Sequence, residues 1–292
     1  MKKYVLAAAF LALAVAPAAA YTSYLKPDTY WPEDNDVTIV GSFASTFFTP
    51  QIAVPAELRG FNPDGSDAVF DQVVVETAAT RLDANLPTAG TYRISTGEQF
   101  GNVTTLVGAD GTWRALAAGE TPPADAPVTT LQTVTLADVY VTRGQASRTV
   151  IDQTHGRLAL RPVTHPNQVL AAQGFQVDVL FDGAPLANSA VVLYGEGDPD
   201  TDLDRYVVTD GAGRATFTFE APGHYIIAAR HRADMPAGSD AQVGSYTTTL
   251  TLEALTEVPA GYDVAAREAE AARAAARRER VPARRRVGRP DL

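Results

Sequence analysis

Apolar and polar residues alternate in short runs along residues 21–150, and proline and glycine separate these runs. A period of two places successive side chains on opposite faces and is typical of half-buried β-strands. The pattern predicts strands at 36–43, 71–78, 90–96, 111–116 and 135–143. We therefore expect the N-terminal part to be a β-domain.

The same alternation continues through residues 156–255. In 175–181 every odd position is apolar, so one face of that strand is fully apolar. The segment 206–217 carries Thr-Asp-Gly-Ala-Gly at 209–213, which is typical of a tight turn, and we expect it to form a hairpin. About six strands at this spacing predict an antiparallel sandwich of immunoglobulin-like or transthyretin-like type.

The fold class that follows is all-β, because neither region shows the alternation of strands and helices found in α/β folds. We expect two antiparallel β-sandwich domains, residues 21–150 and 151–257, the second being immunoglobulin-like. The 292 residues suffice for two buried cores, and the lack of cysteine means that apolar burial has to hold them. Lys26 is the single lysine of residues 21–292, which we interpret as compositional bias toward arginine.

The beginning of the chain, residues 1–20, has the pattern of a targeting segment. Lys2 and Lys3 precede an apolar run that ends in small residues, which predicts a signal peptide cleaved after Ala20 and a periplasmic protein. The alternative is a retained membrane anchor, which the shortness of the apolar run disfavours. No later segment has spanning length, so we expect no transmembrane segment in the mature chain.

Residues 258–292 form a basic end on a chain with a formal net charge of −10. The alanine-rich segment 263–280 favours a helix without an apolar stripe, and this predicts a solvated, partly helical tail. Five of its arginines are candidates for binding an anionic envelope surface: Arg277, Arg278, Arg284, Arg285 and Arg286. The alternative is a solubilising end. The acidic balance of the chain argues against nucleic acid as its main partner.

Histidines are the candidate metal ligands in a chain without cysteine. His165 precedes Pro166, and two alternatives stay open for it: a ligand, or a rigid corner whose ring is hydrogen-bonded to the backbone. His224 and His231 are seven positions apart on one predicted strand, so they face opposite sides unless a bulge lies between them. His155 lies in a linker, where we expect it to be exposed to solvent.

An acidic run offers a second kind of site. Asp198, Asp200, Asp202 and Asp204 recur at every second position, and calcium prefers such oxygen ligands. The run lacks the central glycine and the final glutamate of an EF-hand loop, and Arg205 interrupts it. A calcium site and a solvated hairpin tip are the two interpretations.

Several segments of residues 21–255 resemble an uncharacterised exported bacterial family that is often labelled a periplasmic component of nickel/cobalt uptake. The resemblance rests on the segments PVTHPN, VLFDGAPL and TDGAG, which occur in this order. It implies two β-domains, the second similar to immunoglobulin-like or carboxypeptidase-regulatory modules, and it implies nickel or cobalt as cargo. Members of that family usually begin the mature chain with a histidine; Tyr21 follows the predicted cleavage site here, so that ligand is missing.

Nucleophile elbows, zinc-protease motifs and phosphate-binding loops are absent from the sequence, so we expect a protein that is not an enzyme. The leading hypothesis is a non-catalytic periplasmic accessory protein of envelope transport, with a divalent metal as its cargo and an envelope transporter as its partner. The alternative is an interaction module that docks on an outer-membrane receptor or another envelope protein.

Overall fold

The structure is a computed structural model that describes residues 21–109 and 111–259. This part of the chain is almost entirely β-structure with one short helix, which confirms the all-β prediction. It contains no helix that is both long and apolar enough to cross a membrane. The predicted signal peptide and nearly all of the predicted tail lie outside the described residues.

The elements of the N-terminal half are β1 (Thr22–Pro27), β2 (Asp36–Ala44), β3 (Ile52–Ala53), β4 (Arg59–Phe61), β5 (Asp67–Ala68), β6 (Gln72–Val75), β7 (Thr80–Asn85), β8 (Gly90–Ser95), β9 (Gln99–Ala109), β10 (Thr112–Ala115), β11 (Val128–Arg143) and α1 (Thr149–Asp152). The elements of the C-terminal half are β12 (Leu158–Pro162), β13 (Val169–Leu170), β14 (Phe175–Phe181), β15 (Ala184–Pro185), β16 (Ala190–Gly195), β17 (Tyr206–Val208), β18 (Arg214–Phe217), β19 (Gly223–Asp234) and β20 (Val243–Leu255).

The strands form three sheets. The N-terminal sheet has the order β1-β2-β7-β6, with β3 paired to β2. The central sheet has eleven strands in the order β17-β16-β19-β20-β11-β8-β4-β5, with β9, β10 and β13 paired alongside this path. The C-terminal sheet contains β12, β14, β15 and β18. The N-terminal and C-terminal sheets each pack on the central sheet, which therefore belongs to both halves of the protein.

The two halves are joined by a parallel pair of strands in the middle of the central sheet. Residues Leu131–Val139 of β11 pair with Val243–Thr251 of β20, and β13 also pairs with β20 in parallel. The other pairings are antiparallel, as the sequence predicts. The parallel pairing was not predicted, because local alternation does not show which strands from distant parts of a chain will pair.

Strand β19 shows that the central sheet is buried on both faces. Tyr225 and Ile227 lie in the core beneath the C-terminal sheet, whereas Ile226 and Ala228 lie in a smaller cluster with Tyr24 of β1. Because consecutive side chains of a strand point in opposite directions, a run of buried residues requires a cover on each side. The N-terminal core lies between β1, β2 and β7 on one side and β8 and β11 on the other.

The segment 206–217 departs from the predicted hairpin. The turn forms, and Gly213 there has a positive φ of 76°. However, β17 pairs with β16 in the central sheet and β18 pairs with β14 in the C-terminal sheet. The turn therefore leads the chain from one layer of the sandwich to the other. The sequence prediction was wrong on the pairing because the same turn residues serve both connections.

The predicted boundary between residues 150 and 151 falls inside α1. Val150 and Ile151 are buried, and both belong to the core of the C-terminal half. Dividing the chain at this boundary separates β20 from its neighbour β11. Neither half therefore keeps a complete central sheet.

We predict that residues 21–150 and residues 151–292, expressed separately, each fail to unfold cooperatively, and that mixing them restores a cooperative transition. Thermal unfolding followed by circular dichroism measures this. The physical reason is that division exposes one edge and one apolar face of both β11 and β20. An isolated C-terminal fragment that melts like the intact chain would show that the halves are independent domains.

Candidate functional site

His165 lies at a buried corner where the second half begins, and its side chain is 5% exposed. Its Nδ1 accepts a hydrogen bond from the backbone N–H of Asn167 at 3.2 Å. Its Nε2 is 3.1 Å from the hydroxyl of Thr91 and 3.3 Å from the carbonyl oxygen of Ser147. Both ring nitrogens are therefore engaged, which favours the corner over the ligand interpretation. Burial lowers the pKa of His165 to about 4, so the ring is neutral at pH 7.

Asn167 extends this polar corner to the central sheet. Its side-chain amide donates to the carbonyl oxygen of Tyr140 at 2.8 Å and accepts from the hydroxyl of Thr142 at 2.8 Å. Thr142 in turn lies 3.0 Å from Thr91 on the neighbouring strand β8. The segment PVTHPN therefore attaches the start of the second half to β8 and β11 of the first half.

His224 and His231 lie on opposite faces of β19, as their odd spacing predicts. His231 packs edge-on against Phe181, with 4.6 Å between the ring centroids. Burial lowers its pKa, and nearby Arg157 lowers it further. His224 stacks on Tyr30 with 5.9 Å between the centroids. The two histidines therefore cannot share a metal ion.

Two carboxylates flank the ring of His224. Glu196 is 3.7 Å from Nδ1 and Glu253 is 3.9 Å from Nε2. The two ring nitrogens point in different directions, so a cation bound at either one can meet only one of these glutamates. Within residues 21–109 and 111–259 no cluster of three or more His, Asp or Glu side chains could hold a metal ion. The three histidines proposed as ligands from the sequence thus lie in separate environments.

The expectation of an exposed His155 was wrong. Its ring lies against Phe61 of β4 with 4.5 Å between the centroids, and it is only half-exposed. Burial lowers its pKa. The linker folds back onto the central sheet, which the sequence of the linker alone does not show.

The acidic run does not gather its carboxylates into one cluster. Asp198 forms an ion pair with Arg205 and accepts the N–H of Gly195 at 2.7 Å. Asp202 accepts the N–H of Asp204 at 3.0 Å. These partners leave no arrangement of converging oxygens that resembles a calcium loop.

Asp200 corrects the interpretation of this run as a solvated tip, because its side chain is 4% exposed. One of its carboxylate oxygens lies 3.4 Å from the hydroxyl of Thr22. Burial raises its pKa, while nearby Arg230 acts against that shift. The loop also docks on the first half through its backbone, since the N–H of Asp200 donates to Ser45 at 2.9 Å and the N–H of Phe47 donates to Asp198 at 3.0 Å.

A cleft with a volume of about 320 Å³ opens where the two halves meet, and we call it the junction cleft. Its wall includes Tyr24, Lys26, Val40, Phe48, Pro50 and His224. Tyr24 and Lys26 occupy alternate positions of β1, and Lys26 lies directly opposite Val40 of β2. Phe48 comes from the loop after β2, and His224 comes from the start of β19. Both halves of the chain therefore build the site.

Aromatic rings and one ammonium group set the chemistry of the junction cleft. The Nζ of Lys26 is 4.6 Å from the centroid of the Phe48 ring, and His224 meets the same ring edge-on at 6.2 Å. Burial raises the pKa of Tyr24 to about 12, so its hydroxyl stays neutral. Among the described residues, Lys26 has neither a carboxylate nor a hydrogen-bonding partner.

The sequence signal for this cleft was the isolated lysine that we interpreted as compositional bias. Lys26 is the only amine side chain between residue 21 and the end of the chain. A single lysine in an arginine-rich chain identifies one position, but only the tertiary contacts place it beside Phe48 and His224. The five arginines proposed to bind an anionic surface lie outside the described residues.

The sheets and the junction cleft define an all-β protein with a cleft of about 320 Å³ where its two halves meet. The chain belongs to the family described as "Domain of unknown function (DUF4198)", whose model matches residues 18–233, more than half of the chain. The expected resemblance to an uncharacterised family is confirmed, and the description does not mention nickel or cobalt. Comparison with curated proteins gives no match.

Comparison with solved structures gives matches of low sequence identity and low TM-score. The chain is similar to the D0-D1 domain of Intimin, with 13% identity, 78% of this chain and 96% of that chain covered, and a TM-score of 0.19. It is also similar to trypsin-activated alpha-2-macroglobulin from Escherichia coli, with 14% identity, 82% of this chain and 16% of that chain covered, and a TM-score of 0.21. Superpositions with such TM-scores carry no argument about this chain.

We predict that His165→Gln reduces the loss of stability on acidification between pH 6.5 and pH 4. A histidine with a folded-state pKa of about 4 binds its proton more weakly than in the unfolded chain, so its contribution is complete above pH 6.5 and lost as the pH falls. The contribution amounts to about 3 kcal/mol at most. Urea unfolding at several pH values measures it.

His155 and His231 remain in both proteins, so the difference between the two pH profiles isolates position 165. The variant is expected to be less stable above pH 6.5, because the hydrogen bonds of the corner are lost, and the difference should shrink as the pH falls toward 4. Parallel pH profiles for the two proteins would contradict a neutral buried ring at this position.

Proposed function

We propose that this protein is a non-catalytic binding component of the cell envelope, and that it takes a small ligand in the junction cleft. The observation that carries the proposal is the cleft itself, built by β1, β2 and β19 from both halves of the chain. Its volume of about 320 Å³ lies at the lower end of the range for small-molecule sites. Its combination of apolar walls and few polar groups is typical of such sites.

The chemistry of the cleft supports binding over catalysis. Lys26 and Tyr24 both contribute to its wall, but neither is paired with a base that would activate it as a nucleophile. His224, the candidate base, has its two nearest carboxylates at 3.7 and 3.9 Å, beyond hydrogen-bond distance. A cleft with these groups is suited to bind a ligand through apolar contacts with its walls and through the charge of Lys26.

Export to the periplasm is part of the proposal and rests on the predicted signal peptide at residues 1–20. In that compartment the protein would serve a transport system or dock on an outer-membrane receptor or another envelope protein. The junction cleft favours the first role, because an interaction module does not need a cavity lined by both of its halves.

We predict that Val40→Phe abolishes ligand binding by filling the floor of the junction cleft. Ligand-observed NMR with a library of small organic molecules provides the measurement. Hits for the unchanged chain should lose their saturation-transfer signal with the variant, because the added ring occupies the volume beside Lys26.

Val75→Phe is the matched control, since Val75 is 53% exposed on the edge strand β6 and does not line the cleft. It should bind the same hits as the unchanged chain. Hits that bind equally to the Val40 variant would show that the cleft is not the ligand site.

A role in nickel or cobalt uptake is the second candidate, and the contact of His224 with Glu196 is the observation that favours it. Imidazole and carboxylate together can ligate a divalent metal at the mouth of the cleft, with the remaining positions filled by water or by a ligand. His165 and His231 would take no part, because each has its own separate contacts.

The metal candidate predicts saturable binding of nickel or cobalt tighter than about 100 μM, equivalent to about −5.5 kcal/mol. Calorimetric titration with nickel, cobalt, zinc and copper measures this. His224→Gln should abolish the binding, whereas a double His165→Gln, His231→Gln variant should retain it. Weaker binding of all four metals, or binding that survives His224→Gln, would exclude this site.

A further inference from the structure

We propose that the junction cleft selects an organic monocarboxylate with a flat apolar body, and that Lys26 is the residue that binds the carboxylate. This inference rests on the proposed function, since it names the ligand class of the same site. The juxtaposition that carries it is an unpaired ammonium beside an aromatic ring inside a cleft with largely apolar walls.

Lys26 is the anchor because its charge has no acceptor within residues 21–109 and 111–259. Its Nζ lies over the Phe48 ring at 4.6 Å, and none of the ion pairs in the described part of the chain includes it. The residue is half-buried and lines the cleft. An anion that enters the cleft can accept a charge-assisted hydrogen bond from Nζ.

The charges around the cleft favour a ligand with a single negative charge. Glu196 and Glu253 flank His224, and Asp28 also lines the cleft. Asp28 already accepts the backbone N–H groups of Thr29 at 2.8 Å and Thr38 at 3.2 Å. These carboxylates repel every anion, but they repel a dianion such as phosphate about twice as strongly as a monocarboxylate, whose single charge Lys26 balances.

A cationic ligand is disfavoured by Lys26 itself. The ammonium already occupies the position over Phe48 that a ligand cation would take in a cation–π contact. A second cation there would have to displace it or lie beside it, at a cost in like-charge repulsion. The preference for an anion therefore rests on Lys26 at Phe48, and not on the carboxylates beside His224.

The walls define the body of the ligand. Phe48 provides an aromatic surface, and Pro27, Pro50 and Val40 provide aliphatic ones. Tyr24 is buried behind them and meets the Phe48 ring edge-on at 5.3 Å. Flat apolar groups pack well against such surfaces. A cleft of about 320 Å³ fits a single ring with a short carboxylate arm and is too small for an oligosaccharide or a folded peptide.

The experiment uses residues 21–292 labelled with ¹³C,¹⁵N-lysine, in which Lys26 supplies the only lysine signal. The probe is phenylacetate, compared with its neutral isostere phenylacetamide and with phenylphosphonate, which carries more negative charge. We expect phenylacetate to shift the Cε resonance of Lys26 saturably. The other two should bind at least about tenfold more weakly, because phenylacetamide has no charge to pair with Nζ and the extra charge of phenylphosphonate is repelled by the nearby carboxylates.

Substitution of Lys26 provides the second test, in which ligand-observed NMR measures the binding of phenylacetate. Lys26→Met should weaken phenylacetate binding at least about tenfold, whereas Lys26→Arg should keep it within about threefold because the charge remains. Val75→Phe serves again as the control with an intact cleft. Equal binding of phenylacetate and phenylacetamide, unchanged binding by Lys26→Met, or no shift with phenylacetate would each overturn the inference.

Failure of this inference is distinguishable from failure of the proposed function. Neutral hits that Val40→Phe abolishes, together with no binding of phenylacetate, would leave the cleft as the ligand site and refute the carboxylate class alone. Binding of every ligand to the Val40 variant would refute both.

Discussion

The parallel pairing of β11 with β20 is the constraint on which the rest of the structure depends. Nine consecutive residues of β11 are in register with β20, and this pair joins a strand from the middle of the described chain to its last strand. The N-terminal sheet covers one face of β11, and the C-terminal sheet covers the opposite face of β20 and β19. Parallel strands need apolar cover on both faces. The pair of β11 and β20 is therefore fully buried only when the N-terminal sheet and the C-terminal sheet are both in place.

Two polar clusters fix the position of β11 within this arrangement, one against β8 of the same half and one against the start of the second half. Arg93 of β8 holds Asp138 of β11 through two hydrogen bonds, 3.2 Å from Nε and 2.5 Å from Nη2, and both side chains are almost fully buried. Breaking one partner of such a pair leaves an unpaired buried charge, so the pair opposes any shift of β8 along β11. His165 and Asn167 act similarly at the corner, where a slipped chain would leave several buried polar groups without partners.

The junction cleft is a consequence of the same arrangement. Strand β1 belongs to the N-terminal sheet, yet its Tyr24 packs with residues of β16 and β19 in the cluster between the halves. Beyond Tyr24 the cleft opens, and Lys26 and His224 both line it and each contacts the ring of Phe48. The proposed ligand site thus occupies a place where the two halves touch without filling the space between them.

The sequence by itself determined the all-β class and the positions of several strands, such as β2, β8, β14 and β19, because a period of two is a local property of neighbouring residues. It also placed His224 and His231 on opposite faces. It did not predict β1 or β9, the partial burial of His155, the burial of Asp200, or the separation of β17 from β18 into different sheets. Only the tertiary structure decided which strands pair across distant parts of the chain, and so only it brought Lys26, Phe48 and His224 together. The physical reason is that register between remote strands depends on the burial of whole faces, which no local pattern encodes.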